Sequence, residues 1–350
     1  MIKFLVYIAI ILAVFAIGYL VRVFELASSL KGNKPHIITD KDNKIMSKFM
    51  LTFLVVFFIF VIWNLKSFVP IMLPVSASEQ GVELDWLFNF NMAILFFVFT
   101  ITHILLFWFA YKYYGRKENT ATYFPHSNKL EMVWTIIPAI VLAVIIIFGL
   151  KAWNKITQPA SKDAIVIQLY AKQFDWTARY AGKDNELGAS DYKMITSDNS
   201  LGMDPADTKG QDDIIVRNEF HIPVGKEVEF KMNAREVIHS AFFPHFRAQM
   251  NCVPGMTTML HFTPTTTTAE IRKNPDVIRQ MKDVNAVRAK RVIGTGDFTT
   301  GDDKPVEFNY ILLCNKICGN SHYNMQMTVV VESEEDYNKW IASKKPYFSK

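Results

Sequence analysis

The chain has 350 residues, half of them hydrophobic and 14% aromatic, which is enough for two domains. Its net charge of +5 lies in the first 152 residues, which hold 13 basic and 8 acidic side chains, while the remainder holds 25 of each. A basic face for nucleic acid therefore does not explain the charge, and three cysteines are too few for a disulfide framework.

Four apolar stretches come first, near residues 2–24, 49–73, 90–113 and 132–153. Each is long enough to cross a hydrocarbon core of roughly 30 Å as a helix. The loop after the first carries Arg22, Lys31, Lys34, Lys41, Lys44 and Lys48, and the loop after the third carries Lys112, Arg116, Lys117 and Lys129. Both should face the cytoplasm. The loop between the second and third has Glu79, Glu83 and Asp85 with no basic residue, and should face outward. The first stretch also fits a signal peptide, but cleavage would place the basic loop on the wrong side, so a retained helix and two outer termini are expected. His103, midway along the third stretch, is an intramembrane ionisable group.

After Trp153 the texture changes to short alternating runs broken by turn residues. Strands are expected at 164–171, 174–180, 214–222, 226–233, 238–243 and 259–263, then at 306–313 and 327–331, a pattern that argues for a β-sandwich. Two long insertions interrupt it, near 181–213 and 269–304, the second with a helical part from Pro275 to Val292. Segments of that length are candidates for contact with a partner.

Between the last two strands lies Cys314-Asn315-Lys316-Ile317-Cys318-Gly319-Asn320-Ser321-His322-Tyr323-Asn324-Met325, which gathers two thiols, an imidazole and a thioether. Soft sulfur donors beside an imidazole suit copper better than structural zinc. A disulfide or zinc clip tying the strands together is the plainer alternative. A second imidazole has to come from a distant strand, and His221, His239, His245 and His261 are all candidates by residue type. Cys252 reads as a small buried side chain.

The pattern C-x-x-x-C-x-x-x-H-x-x-M resembles the binuclear copper A loop of subunit II of heme-copper cytochrome c oxidases. Three further runs are similar to that family. Glu131-Met132-Val133-Trp134-Thr135-Ile136-Ile137-Pro138 resembles the start of its last membrane helix. Glu236-Val237-Ile238-His239-Ser240, with Val253-Pro254-Gly255 at the family's distance, resembles the segment that carries its distant histidine. Gln173-Phe174-Asp175-Trp176 resembles its Q-W-x-W run.

The resemblance covers about residues 90–350 apart from the insertions, and the two extra N-terminal helices hint at a bacterial variant. It implies an α-helical transmembrane anchor of about four helices, residues 1–153, followed by an all-β cupredoxin-like Greek-key sandwich, residues 154–350. It also implies two copper ions held by His239, Cys314, Cys318, His322 and Met325 with the backbone carbonyl of Lys316. His245, His261 and His103 are then left to packing. Glu131 corresponds to the family's carboxylate at a proton-pathway mouth, and Phe174 and Trp176 to its aromatic pair where electrons arrive. Hemes and a further copper belong to subunit I. The expected donor is a cytochrome c, or a cytochrome c domain in a stable assembly, because no C-x-x-C-H sequence occurs here. The expected location is a bacterial inner membrane with the copper domain periplasmic. Where the family commonly has a magnesium-binding Glu, this chain has Lys316, a cation that cannot take that role. Two other readings remain: a copper A subunit of another terminal reductase, such as one for nitrous oxide, and a metal-free structural subunit of a quinol oxidase.

Overall fold

The computed structural model of the chain describes residues 2–30, 38–294 and 305–349. Lys31, Lys34 and positions 295–304 of the second insertion lie outside the described residues. Among the described residues four helices are long and apolar enough to cross a membrane: α1 (Ile2–Leu30), α2 (Asp40–Met72), α3 (Glu79–Lys112) and α4 (Asn128–Thr157). Each is longer than the apolar stretch inside it, because polar residues that prefer water still extend the backbone hydrogen-bond ladder by a turn or two at its ends.

The chain divides into two compact units, Met1–Ser67 with Phe96–Ser127, and Phe68–Leu95 with Asn128–Lys350. In the first, α2 and α3 meet along an aromatic seam. Phe53 lies 5.3 Å from Phe107, and the His103 ring lies 4.1 Å from Phe99 and 5.5 Å from Phe57. His103 Nδ1 is 2.8 Å from the carbonyl oxygen of Phe99, one turn back, so this polar side chain is satisfied within its own helix.

In the second unit, ten strands form a two-layer Greek-key sandwich. They are β1 (Ile165–Lys172), β2 (Asp175–Tyr180), β3 (Ile214–Arg217), β4 (Glu219–Pro223), β5 (Val228–Ala234), β6 (His239–Phe243), β7 (Ala248–Cys252), β8 (Thr258–Phe262), β9 (Tyr310–Cys314) and β10 (Gln326–Glu332). One sheet runs β3-β2-β1-β5-β8 and the other β4-β10-β9-β6-β7, with β1–β5 and β4–β10 parallel and the other pairs antiparallel. Strand alternation builds the core: in β5, Val228, Phe230, Met232 and Ala234 point in while Glu229, Lys231 and Asn233 point outward. Phe220, Phe230, Phe243, Phe246 and Phe262 fill the space between the sheets.

Sequence expectation and structure differ at three places. The single strand expected over 214–222 is two strands in different sheets. Asn218, at φ 70°, turns the chain through the left-handed region that Asn tolerates, and lets it cross between layers. The edge strand β7 was not foreseen, its apolar content being too low to signal burial on one face. Nor was α7 (Glu334–Ala342), which starts at Ser333, whose hydroxyl accepts from Asp336 N, and which lays Trp340 on His221 at 4.0 Å. Helix α6 (Pro275–Gly294) follows the short α5 (Thr268–Ile271), as expected for the second insertion.

The first insertion is pinned at its root. The buried Arg179 donates to Asp213, to the Gln168 side chain and to the Gly188 carbonyl. The segment between α2 and α3 is stitched to the sandwich as closely. Ala77 N donates to His245 O at 2.8 Å, Thr265 N to Ala77 O at 2.8 Å, and Ser78 Oγ to Phe246 O at 2.8 Å. Arg247 clamps it with two bonds to the Asp85 carboxylate, 2.7 and 2.9 Å, and a third to Pro244 O. Arg247→Ala leaves Asp85 and the Pro74 carbonyl, to which the guanidinium also donates, without that donor and should destabilise this unit by about 2–4 kcal/mol. Lys339→Ala, which breaks an exposed pair with Glu335, should cost under about 1 kcal/mol. Thermal unfolding of the full-length chain in detergent checks both.

Candidate metal centre

Strand alternation places the first donors. In β9 the inward residues are Tyr310, Leu312 and Cys314; in β6 His239, Ala241 and Phe243 share the inward face. The two strands pair antiparallel with Ala241 opposite Cys314, which brings the end of β9 beside the start of β6. Asn315 N then bonds Ser240 O, and Cys314 N bonds Met325 O, both at 3.0 Å, so the loop leaves and returns at a fixed place.

The donor atoms converge. Cys314 Sγ is 3.9 Å from Cys318 Sγ and 3.8 Å from His239 Nδ1; Cys318 Sγ is 3.5 Å from His322 Nδ1 and 3.8 Å from Met325 Sδ. The Cys314 thiol lies 3.3 Å from the Lys316 carbonyl oxygen. Two donors bound tetrahedrally at about 2.0–2.3 Å to one ion stand about 3.5–3.8 Å apart, so these separations have the size of edges of a metal's coordination polyhedron. Both cysteines are free thiols, far beyond the roughly 2.05 Å of a disulfide. His239, Cys314 and Cys318 are all buried, with ligand atoms within 4.8 Å of one another.

Burial also sets the protonation. It pushes the Cys318 thiol up to about 11, with the adjacent Cys314 sulfur adding to the effect. Two neighbouring thiolates therefore require a cation between them, and metal uptake must release protons. Burial lowers the His239 pKa, which keeps the imidazole neutral. Glu236 Oε2 stands 3.9 Å from His239 Nε2, so the ring proton is favoured on that side and the Nδ1 lone pair faces the sulfurs.

The other histidines are elsewhere. His221 Nδ1 and His261 Nδ1 each lie 2.5 Å from a carboxylate, Glu332 and Glu227, and His245 is wedged against Phe308 and Tyr310. Cys252 pairs across the sheet with His239 but is fully buried, and burial pushes its thiol up to about 12.

The aromatic pair splits between two depths. Phe174 is half-buried against Gly319, whereas Trp176 is buried with its ring 6.3 Å from His239. Gln173 Nε2 donates to Cys318 O and its backbone N to Glu236 at 3.2 Å, tying the run to both sides of the centre. Gln173 and Glu236 were not singled out by sequence reasoning, although both stood inside the quoted motifs. Lys316 has an exposed side chain, and its carbonyl oxygen faces the Cys314 sulfur. Glu131 lies in the exposed first turn of α4, about 40 Å along the helix from its other end, and does not join the cluster.

The family model described as cytochrome C oxidase subunit II, transmembrane domain, matches residues 66–152. The alternative cytochrome c oxidase subunit 2 of Bradyrhizobium diazoefficiens is 29% identical over 266 residues, which cover 75% of this chain and 81% of that relative. Over residues 66–152 this chain matches the transmembrane domain of cytochrome c oxidase subunit II, and over about three quarters of its length it is similar to a subunit 2 protein. Cytochrome c oxidase subunit 2 of Cereibacter sphaeroides is 25% identical over 279 residues, covering 76% of this chain and 77% of that one. Among solved structures, the periplasmic domain of subunit II of cytochrome oxidase from Bradyrhizobium japonicum aligns with 55% of this chain and 100% of its own length, at 17% identity and a TM-score of 0.32. These relatives are named as subunits of cytochrome c oxidases, and four helices among the described residues of this chain are long and apolar enough to cross a membrane.

Gly319 is where the loop is most tightly constrained. At φ 146° it adopts a conformation that L side chains rarely take, and a Cβ there would lie 2.7 Å from Phe174 ring carbons. Gly319→Ala should displace Cys318 and weaken metal binding by about 1–3 kcal/mol, read as faster loss to a chelator. Adding Phe174→Ala should restore part of the loss by relieving the clash, and additive effects in that pair would show that the contact is not the cause.

Proposed function

We propose that the sandwich holds a binuclear copper A centre that accepts electrons from a cytochrome c and passes them to heme and heme-copper centres in a partner subunit I. The observation that carries this reading is the cluster of two unbonded thiols, two imidazoles and a thioether, all buried except the partly exposed His322, whose neighbouring donor atoms lie 3.5–3.9 Å apart. Soft donors of this kind select copper, and two thiols beside each other match a pair of ions better than one. When bound, the copper pair supplies a one-electron carrier.

The chain's own residues supply the rest. His239 and Cys314 are held by paired strands and His322 and Met325 by the returning loop, so little can move when the charge of the centre changes. Burial of Cys314, Cys318 and Met325 excludes water from the three sulfur atoms. Phe174, half-exposed and touching Gly319, offers the donor a route toward Cys318, while Trp176 forms the inner wall beside His239. The Lys316 carbonyl and Met325 act as weak ligands that tune the potential. Glu131, in the first turn of a membrane helix, feeds protons from the cytoplasmic side of a bacterial inner membrane. The intact donor set argues against a metal-free quinol oxidase subunit.

Metal analysis of the purified full-length chain should find two coppers, with an electron spin resonance spectrum in which one unpaired electron is shared by both. Cys314→Ser should abolish that spectrum, and Met325→Leu should shift the potential with copper retained. A single copper with an ordinary one-ion spectrum would sink the reading. In the intact oxidase, Glu131→Gln should slow oxygen consumption several-fold without changing the rate of copper reduction. Unchanged turnover would return Glu131 to a helix-start role favoured by the dipole.

A further inference from the structure

A cavity of about 590 Å³ lies beside the end of α2 and is unused by the electron-transfer reading. One wall is apolar, formed by Pro70, Ile71 and Leu73, where a membrane-crossing helix ends next to the periplasmic domain. The opposite wall is the α6 face that carries Asp276, Arg279 and Asp283. His245 lines the floor. It is only 7% exposed, and among the described residues neither ring nitrogen has a hydrogen-bond partner. Burial, and then the Arg247 guanidinium, push its pKa down to about 4, so at neutral pH it presents one N–H and one lone pair. A buried imidazole with both positions unmet costs free energy until something polar meets it.

The charges say what kind of ligand fits. Arg279 is bonded to Asp276 at 2.8 Å, which leaves Asp283 as a second carboxylate and the wall with one net negative charge. A ligand that carries both a cation and an anion answers all of these groups, and the apolar wall at the end of α2 asks for hydrocarbon as well. We propose that the cavity binds the headgroup of a zwitterionic aminophospholipid from the periplasmic leaflet. Asp283 and the His245 lone pair take the ammonium, Arg279 takes the phosphate, and the acyl chains leave along Ile71 and Pro70. A quinol would leave the ionic groups of α6 unanswered, and an anionic lipid would face two carboxylates.

The test uses the full-length chain in its oxidase assembly, reconstituted in nanodiscs of equal phosphatidylethanolamine and phosphatidylglycerol, with retained lipid identified by native mass spectrometry. Phosphatidylethanolamine should be retained over phosphatidylglycerol by about fivefold, the ratio of one ion pair. Asp283→Lys, on the exposed face of α6, should erase or reverse that preference. His245→Phe should lower retention of phosphatidylethanolamine while the copper spectrum stays intact. Because His245→Phe also alters packing, the Asp283→Lys result decides if that variant fails to fold. Soluble phosphoethanolamine should not displace the lipid, since it lacks the acyl chains; displacement would show a small-molecule site and overturn the proposal. Equal retention of both lipids, or a preference unmoved by Asp283→Lys, would overturn it as well.

Discussion

The pairing of β6 with β9 is the constraint on which the rest of the centre depends. It sets Ala241 opposite Cys314 and so places His239, two residues before Ala241 on the same inward face, beside the first sulfur. A slip of one residue in either strand would send His239 or Cys314 to the other face, because side chains alternate with period two. The backbone bonds from Asn315 to Ser240 and from Cys314 to Met325 lock the register where the loop departs and where it returns. Everything beyond Cys314 inherits its position from those bonds. Cys318, His322 and Met325 then reach the same spot through a loop held close to Phe174 by a glycine.

Burial separates the histidines by role. His221 and His261 lie against carboxylates, and His239 keeps a carboxylate at the edge of its far nitrogen and turns the near one to sulfur. Among the described residues His245 has neither a hydrogen-bond partner nor a neighbouring carboxylate at its nitrogens, whereas each of the other three has a carboxylate within 3.9 Å, and it lines a cavity. The same residue type thus serves packing, the centre and an open cavity, and the neighbours within a few ångströms decide which.

The connection between the helices and the sandwich inside the second unit is made by hydrogen bonds. Loop 73–81 carries small, buried residues, Ala77, whose backbone bonds directly to Thr265 and His245, and Ser78, whose hydroxyl donates to Phe246 O. Arg247 adds a planar, two-bonded clamp on Asp85, a geometry lysine cannot reproduce. These bonds tie the loop to the sandwich at several points along its length.

By itself the sequence determined what is local. Long apolar runs with biased loop charge specified four membrane helices, because hydrocarbon thickness and backbone hydrogen bonding leave no other solution. The spacing of Cys314, Cys318, His322 and Met325 specified the loop's chemistry, since all four sit within one short segment, and resemblance to a family drew His239 from among four candidates. The tertiary structure decided what depends on pairing across distance. It split 214–222 into two sheets at Asn218, buried Trp176 while leaving Phe174 near the surface, and put Glu236 and Gln173 against the centre. It also brought His245 under α6, 30 residues and more further along the chain. None of these follows from periodicity, because each is set by which strand lies beside which, and that is a property of the whole sandwich.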